Sequence, residues 1–327
     1  MAFESFWRWL RVTSNERPRW RAVQVHAQPP GSHLQKFLGE LWAAVKAETG
    51  GRLDVAVHPL SMGVPGGGPN ILKKVVSGEI EFHVFMGPGL AHAVPAMEIQ
   101  GLPFAFSSSE QVAAVMDGEL GDYLQKEMAA KGLYAFPRGL MENGFRQIVS
   151  AKRAVSDAGD LAGYRMRIPE GRIFTDLFAS LGAVPVTISI DQLYGALRDG
   201  AVDGQENPLV VAEELKLYEV AGCVSTTNHV WSGFNLYGNL GFWNTLPGDV
   251  QETARRNVAK AVAAQRAHVR ELNGGLEARL AGRGMKFNVA DTAGFRKLLA
   301  GGFYARWKSQ LGATAWGLLE RSVGTLS

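Results

Sequence analysis

The chain has 327 residues, 46% apolar and 20% charged, a balance that excludes wholesale disorder and supplies enough apolar material for about two domains. Lys and Arg number 34 against 31 Asp and Glu, and the resulting charge of +3 is too weak a surplus for a dedicated nucleic-acid binder. No apolar run approaches the roughly 18 residues needed to cross a bilayer, and with Cys223 as the only cysteine neither an internal disulfide nor a thiolate metal cluster can form.

Residues 1–19 carry no long apolar core and no small-residue cleavage site, and read as an irregular leader rather than an ordinary secretory signal. Over 22–28, Val23, Val25 and Ala27 alternate as in a strand. Ser32 then caps a helix whose apolar residues Leu34, Phe37, Leu38, Leu41, Trp42 and Val45 form one stripe, and Gly50-Gly51 stop it. Leu53, Val55 and Val57 alternate in a second strand. The loop 59–69 carries Gly66-Gly67-Gly68, a helix is predicted over 70–77 and a strand over 79–86. This βαβαβ order begins an open α/β sheet.

Helices are predicted over 109–116 and 120–130, strands over 133–137 and 144–150, and the polar segment 151–159 reads as a crossover between lobes. A strand over 164–168, a helix over 173–181 ended by Gly182, and a strand over 184–188 follow. Ser189 with Gln192 makes a capping box for a helix over 191–198. Residues 223–231 and 235–242 read as strands. A helical pattern runs from 247 to 283, with Asn273-Gly274-Gly275 as an expected kink. It is longer than an ordinary globular helix and suits an element lying across two lobes. Two shorter helices fill 292–323.

Several familiar motifs fail. Gly63 and Gly68 stand at phosphate-loop spacing, but Pro69-Asn70 occupies the places of Lys and Ser/Thr. Gly87-Pro88-Gly89 follows a strand, but His92 replaces the third glycine of a dinucleotide fingerprint. No two of the 7 histidines share the spacing of a helical zinc pair, and no Gly-x-Ser-x-Gly elbow exists. No cofactor, no metal and no enzymatic chemistry are expected.

Polar residues do stand where strands should be apolar. Asn143-Gly144-Phe145-Arg146 opens one strand. In the strand around Met166, Tyr164, Met166 and Ile168 face one way and Arg165 and Arg167 the other. Pro169 ends it and leaves Arg167 near its carboxyl end, where open α/β sheets bind ligands. Asp203-Gly204-Gln205-Glu206-Asn207-Pro208 forms a third junction. A lone strand arginine is ordinarily solvated or ion-paired. That reading is the weightier one for Arg165, and it balances a functional one for Arg146. Asn207 is also placed to cap a helix beginning at Pro208.

The stretch 163–209 resembles the signature region of the DctP-type solute-binding proteins of TRAP (tripartite ATP-independent periplasmic) transporters. The shared submotifs include Asn143-Gly144-Phe145-Arg146, Arg167-Ile168-Pro169, Tyr194-Gly195-Ala196-Leu197, Asp203-Gly204-Gln205-Glu206-Asn207-Pro208, Thr227-Asn228-His229 and Trp243-Asn244-Thr245-Leu246-Pro247. The likeness covers about residues 21–310.

The resemblance implies an α/β, two-lobed periplasmic-binding-protein-like fold with a long helix spanning both lobes. The expected lobes are 20–144 plus 229–268 and 145–228 plus 269–300, with hinges near Asn143 and Asn228 and the tail 301–327 packed back. By the resemblance Arg167 takes the ligand carboxylate, Asn207 helps to hold it, and Arg146 is a second cationic contact. The planar guanidinium fork suits a carboxylate and lysine does not copy it. Many relatives carry an acidic residue about five positions before the glycine matched by Gly78; Lys73 stands here. With Phe85, Met86, Phe104, Ile190, Trp231 and Phe234 as candidate lining, the expected ligand is a small aromatic or apolar acid, with a 2-oxo acid as one form. The implied function is periplasmic capture of an organic acid by hinge closure and delivery to a TRAP membrane permease. The protein would act as a monomer and without nucleic acid. The alternative is an extracytoplasmic acid-sensing subunit using the same clamp.

Overall fold

The computed structural model describes residues 19–326, so the leader expected over 1–19 lies outside the described residues except for Arg19. Alternation around Val23 and Val25 gives β1 (Trp20–Val25). The helix α1 (His33–Glu48) buries its predicted stripe, and the Ser32 hydroxyl accepts from the Gln35 N–H. Next come β2 (Leu53–His58), α2 (Gly67–Ser77) and β3 (Phe82–Phe85). The short α3 (Gly87–Leu90), a 3-10 segment (Pro95–Gly101), α4 (Ser109–Met116) and α5 (Glu119–Ala129) lead to β4 (Leu133–Phe145).

In the second half come β5 (Gln147–Ser150), β6 (Arg165–Ile168), α6 (Arg172–Ser180), β7 (Val184–Thr187), α7 (Leu193–Arg198), β8 (Gly204–Asn207), α8 (Leu209–Glu214) and β9 (Cys223–Thr226). The chain then returns through β10 (Trp231–Asn239), α9 (Leu240–Thr245) and α10 (Gly248–Gly282) to β11 (Lys286–Val289), α11 (Thr292–Ala300) and α12 (Phe303–Val323).

The strands form two mixed sheets, ordered β2-β1-β3-β10-β4 and β11-β9-β5-β8-β6-β7. The first holds parallel β1, β2 and β3 with β10 antiparallel to β3 and β4. In the second, β5 is antiparallel to β8 and β9 while the remaining pairs are parallel. The chain crosses between sheets at Arg146, where β4 gives way to β5, and returns over residues 227–230. The Arg146 N–H donates to the Val230 carbonyl at 2.8 Å, so the two crossings lie side by side.

α10 makes the third crossing. At 35 residues it is about 52 Å long, and it packs on α1 and β4 of one lobe and on α8 and β11 of the other. Gln265, fully buried on it, donates to the Glu142 carbonyl at 2.7 Å and accepts from the Glu142 N–H at 2.8 Å. The helix is thereby pinned to β4 just ahead of the first crossing. α12 folds back onto the Pro95–Gly101 segment, α4, α5 and α6.

Several local expectations are corrected. β4 is one strand of 13 residues rather than two pieces, because the Pro137-Arg138-Gly139 stretch is absorbed as a bulge against β10, with Arg138 at a φ of 55°. Segment 151–159 joins β5 to β6 within one sheet and is no crossover. The strand expected over 223–231 is broken by Asn228, left-handed at a φ of 44°, and the next strand starts at Trp231. Ser189 makes no side-chain cap: a 3-10 turn (Ile190–Gln192) intervenes before α7. α10 runs unbroken through Asn273-Gly274-Gly275, because packing on both lobes outweighs the weak helix propensity of glycine.

Candidate functional site

A cavity of about 660 Å³, counting its open mouth, lies between the lobes at the ends of the strands. The first lobe contributes Gln28 after β1, Ser61, Phe85 and Met86 at the end of β3, and Ser232 and Phe234 from β10. The second contributes Arg167, Pro169 and Glu170 from the end of β6, Ile190 and Asp191, and Asn207 at the end of β8. Asn143 and Arg146 enter from the crossing. Seven of the expected site residues therefore meet here: Arg167, Arg146, Asn207, Phe85, Met86, Ile190 and Phe234.

Arg167 is 1% exposed. Its Nε donates to the Ile188 carbonyl at 2.8 Å, and its buried Nη1 has no partner. Among the described residues no carboxylate is within ion-pair reach of it. Burial pulls its pKa from the usual 12.5 down to about 10; Glu206 pulls it back and Arg146 depresses it further. A buried cation without a counter-ion is energetically incomplete.

Arg146 is different, because its charge is already matched. Its Nε and Nη2 take the Glu206 carboxylate, with Nη2 at 2.8 Å from Oε1, and its Nη1 donates to the Ser232 hydroxyl at 3.1 Å. Nη2 also donates to the Asn207 side-chain oxygen at 3.0 Å. Burial would raise Glu206, but Arg146 and His229 overcome it and hold the carboxyl below its usual value. The free positive charge of the cleft therefore resides on Arg167.

Asn207 closes β8, and its Nδ2 donates to Gln205 at 2.5 Å. It caps no helix, since Pro208 holds the cap position of α8 and no side-chain bond is made there. Phe85 is wedged between two glycines: a Cβ at Gly68 or Gly89 would come within 2.3 or 2.4 Å of its ring. Bare glycine at both positions leaves room for the ring in the cavity wall.

Two expected lining residues lie elsewhere. Trp231 turns its indole behind the wall, donating to Glu142 at 2.7 Å, because a buried indole N–H needs an acceptor. Phe104 lies outside the cavity, with Arg296 over its ring at 4.2 Å.

Polar lining residues were missed by apolar pattern reading: Gln28, Ser61, Asn143, Glu170, Asp191 and Ser232. Ser61 sits in a left-handed turn with φ near 52° at Leu60 and Met62 and 53° at Ser61 itself, a conformation that gives no periodic signal in the sequence. Its N–H donates to the His26 carbonyl at 2.9 Å, which fixes the turn against the end of β1.

Comparison with known proteins places this architecture. Residues 24–302 match the family model described as DctP: Bacterial extracellular solute-binding protein, family 7. The uncharacterized protein y4mM of Sinorhizobium fredii is 31% identical over 206 residues, 63% of this chain, and this chain spans 37% of that protein's length. The C4-dicarboxylate-binding periplasmic protein DctP of Rhodobacter capsulatus is 29% identical over 240 residues, covering 72% of this chain and 70% of that one. The crystal structure of a TRAP periplasmic solute binding protein from Polaromonas sp. JS666, bound to D-erythronate, superposes with a TM-score of 0.87 at 28% identity, covering 94% of this chain and 99% of that one. The shared fold is the two-lobed α/β architecture described above, and the family's members are substrate-binding proteins for transport. With most of its length matched by the family model and both lobes superposing on a solved relative, the chain belongs to the DctP family, bacterial extracellular solute-binding protein family 7.

Proposed function

We propose that this protein is a periplasmic binding protein that closes its lobes on a small hydroxylated organic acid and delivers it to a TRAP permease, without chemistry on the ligand. The observation that carries this reading is Arg167, a buried guanidinium facing the cavity with an unpartnered Nη1 and no acidic partner. A ligand carboxylate completes it, by a charge-assisted bond in a water-poor cleft. Asn207 and the neutralised Arg146 flank the same end. We take the lobes as 20–144 plus 229–268 and 145–228 plus 269–300, rotating about the crossings at Arg146 and at residues 227–230.

The polar lining of the cavity favours hydroxyl groups over an aromatic ring or a 2-oxo group. Gln28 and Asn143 each bury a side-chain oxygen that has no donor, and Glu170 and Asp191 present further acceptors. A ligand carrying several O–H donors satisfies them. The comparisons give no support to the aromatic acid expected from the sequence, and D-erythronate in the Polaromonas relative is a hydroxylated acid. No observation favours the sensing subunit.

The test is thermal denaturation with D-erythronate, related sugar acids and C4 dicarboxylates, since a ligand that binds only folded protein raises the melting temperature. A hydroxylated acid should give the largest rise, and Arg167→Ala should erase it. A neutral polyol as the best ligand, or a full rise with Arg167→Ala, refutes the reading.

A further inference from the structure

Two glutamates reach across the cleft in opposite directions. Glu98, on the Pro95–Gly101 segment of the first lobe, is 4% exposed. Its carboxylate accepts the Arg172 N–H at 3.0 Å and the Ile173 N–H at 3.3 Å, the opening residues of α6 in the second lobe. Gly171, which precedes that helix, has no side chain to cap it. Conversely, Glu214, at the end of α8 in the second lobe, accepts the His33 N–H at 3.0 Å and lies 3.1 Å from His33 Nδ1, on the opening residue of α1 in the first lobe. Ser32 caps the Gln35 N–H and leaves that of His33 to Glu214.

The first N–H groups of a helix have no partner inside it. Here each lobe satisfies those of the other. Both helices are also tied to the ligand walls. α1 follows β1 and the cavity residue Gln28; α6 follows β6 with Arg167, Pro169 and Glu170. Moving the lobes apart therefore takes the acceptors away from both helix termini.

We propose that Glu98 and Glu214 are reciprocal clasps that hold the lobes shut, each supplying the acceptor that the opposing lobe's helix terminus lacks. The inference rests on the reading of the molecule as one that opens and closes, but its test needs no ligand. Spin labels go on Val76→Cys in α2 and Val184→Cys in β7, one per lobe and 43% and 50% exposed in the native chain, with Cys223→Ser removing the native thiol. Pulsed electron resonance then reads the interlobe distances of the full, ligand-free chain.

Glu98→Met and Glu214→Met keep the stem and remove the acceptor. Each should lower the ratio of short to long distances about tenfold. Together they should lower it about a hundredfold, since they share no partner. Glu98→Gln and Glu214→Gln keep an acceptor oxygen and should restore most of the short population. Unchanged distances in the double Met variant overturn the proposal, as does a Gln variant that behaves like its Met counterpart. A purely local cap would lower the unfolding temperature and leave the distances alone, which also overturns it. If Glu98→Met does not fold, the two Glu214 variants decide by the same criteria. Failure of the acid reading shows separately, as retained ligand response in Arg167→Ala.

Discussion

Arg167 and Arg146 look alike in the sequence, each an arginine at a strand end, and differ in what surrounds them. Arg146 has Glu206 within bonding reach and Arg167 has no acid there. The same truncation should therefore act in opposite directions on the ligand-free fold. Arg167→Met removes an uncompensated buried charge, at the loss of one bond to the Ile188 carbonyl, and should raise stability by about 1–2 kcal/mol while abolishing acid binding. Arg146→Met strands Glu206 in the interior with only His229 beside it and should lower stability by about 3–5 kcal/mol. Urea unfolding of both variants without ligand checks the pair, and the idea fails if both move the same way. Arg167→Lys should not rescue binding, because an ammonium lacks the planar fork.

At the scale of elements, α10 carries Gly274 and Gly275 about three-quarters of the way along because its position is set by contacts with both lobes. Nothing lies within 4 Å of a Cβ built on Gly274. Gly274→Ala should therefore add about 1 kcal/mol through helix propensity alone, read by chemical denaturation. The first turn of α2 gives the contrary case. A Cβ at Gly68 meets the Phe85 ring at 2.3 Å, so Gly68→Ala should push that ring into the cavity and weaken acid binding at least tenfold. Calorimetry with the acid found by the thermal test measures it, and unchanged affinity would show that the ring has room to move aside.

These elements also show what could be read beforehand. The stripe of α1, its Ser32 cap and the length of α10 follow from periodicity and capping, which are local in the chain. The single β4 and the break at Asn228 depend on partners far away in sequence: a bulge against β10 and two chain crossings lying side by side. The site divides in the same way. Arg167 at a strand end is legible; the polar lining from the first lobe is not, because Gln28 and Ser61 lie in loops whose orientation only tertiary contacts fix.

For the whole molecule, burial sets opposing titrations against each other. It pushes Glu98 from 4.5 up to about 7, only partly countered by the Ile173 and Arg172 N–H groups and the Arg172 charge, with Asp176 adding to the rise. His92 and Gln310 line the cavity beside it. A carboxyl raised in the fold favours folding most below its unfolded value and loses that advantage as pH climbs through about 7. His83 runs the other way. Burial holds it down to about 3, bonded to Tyr237, and His26 is lowered too, so both weaken the fold as pH drops below about 6.5. Between pH 5 and 8 the wild-type curve should therefore be shallow, and it identifies no single group. The difference between wild type and Glu98→Gln does, because the histidines cancel in it. The wild-type advantage should shrink steadily from pH 5 to pH 8, by at most on the order of 3 kcal/mol. Paired denaturant titrations at the two pH values measure this, and a difference that stays constant would mean that the cross-lobe N–H groups keep Glu98 ionised throughout.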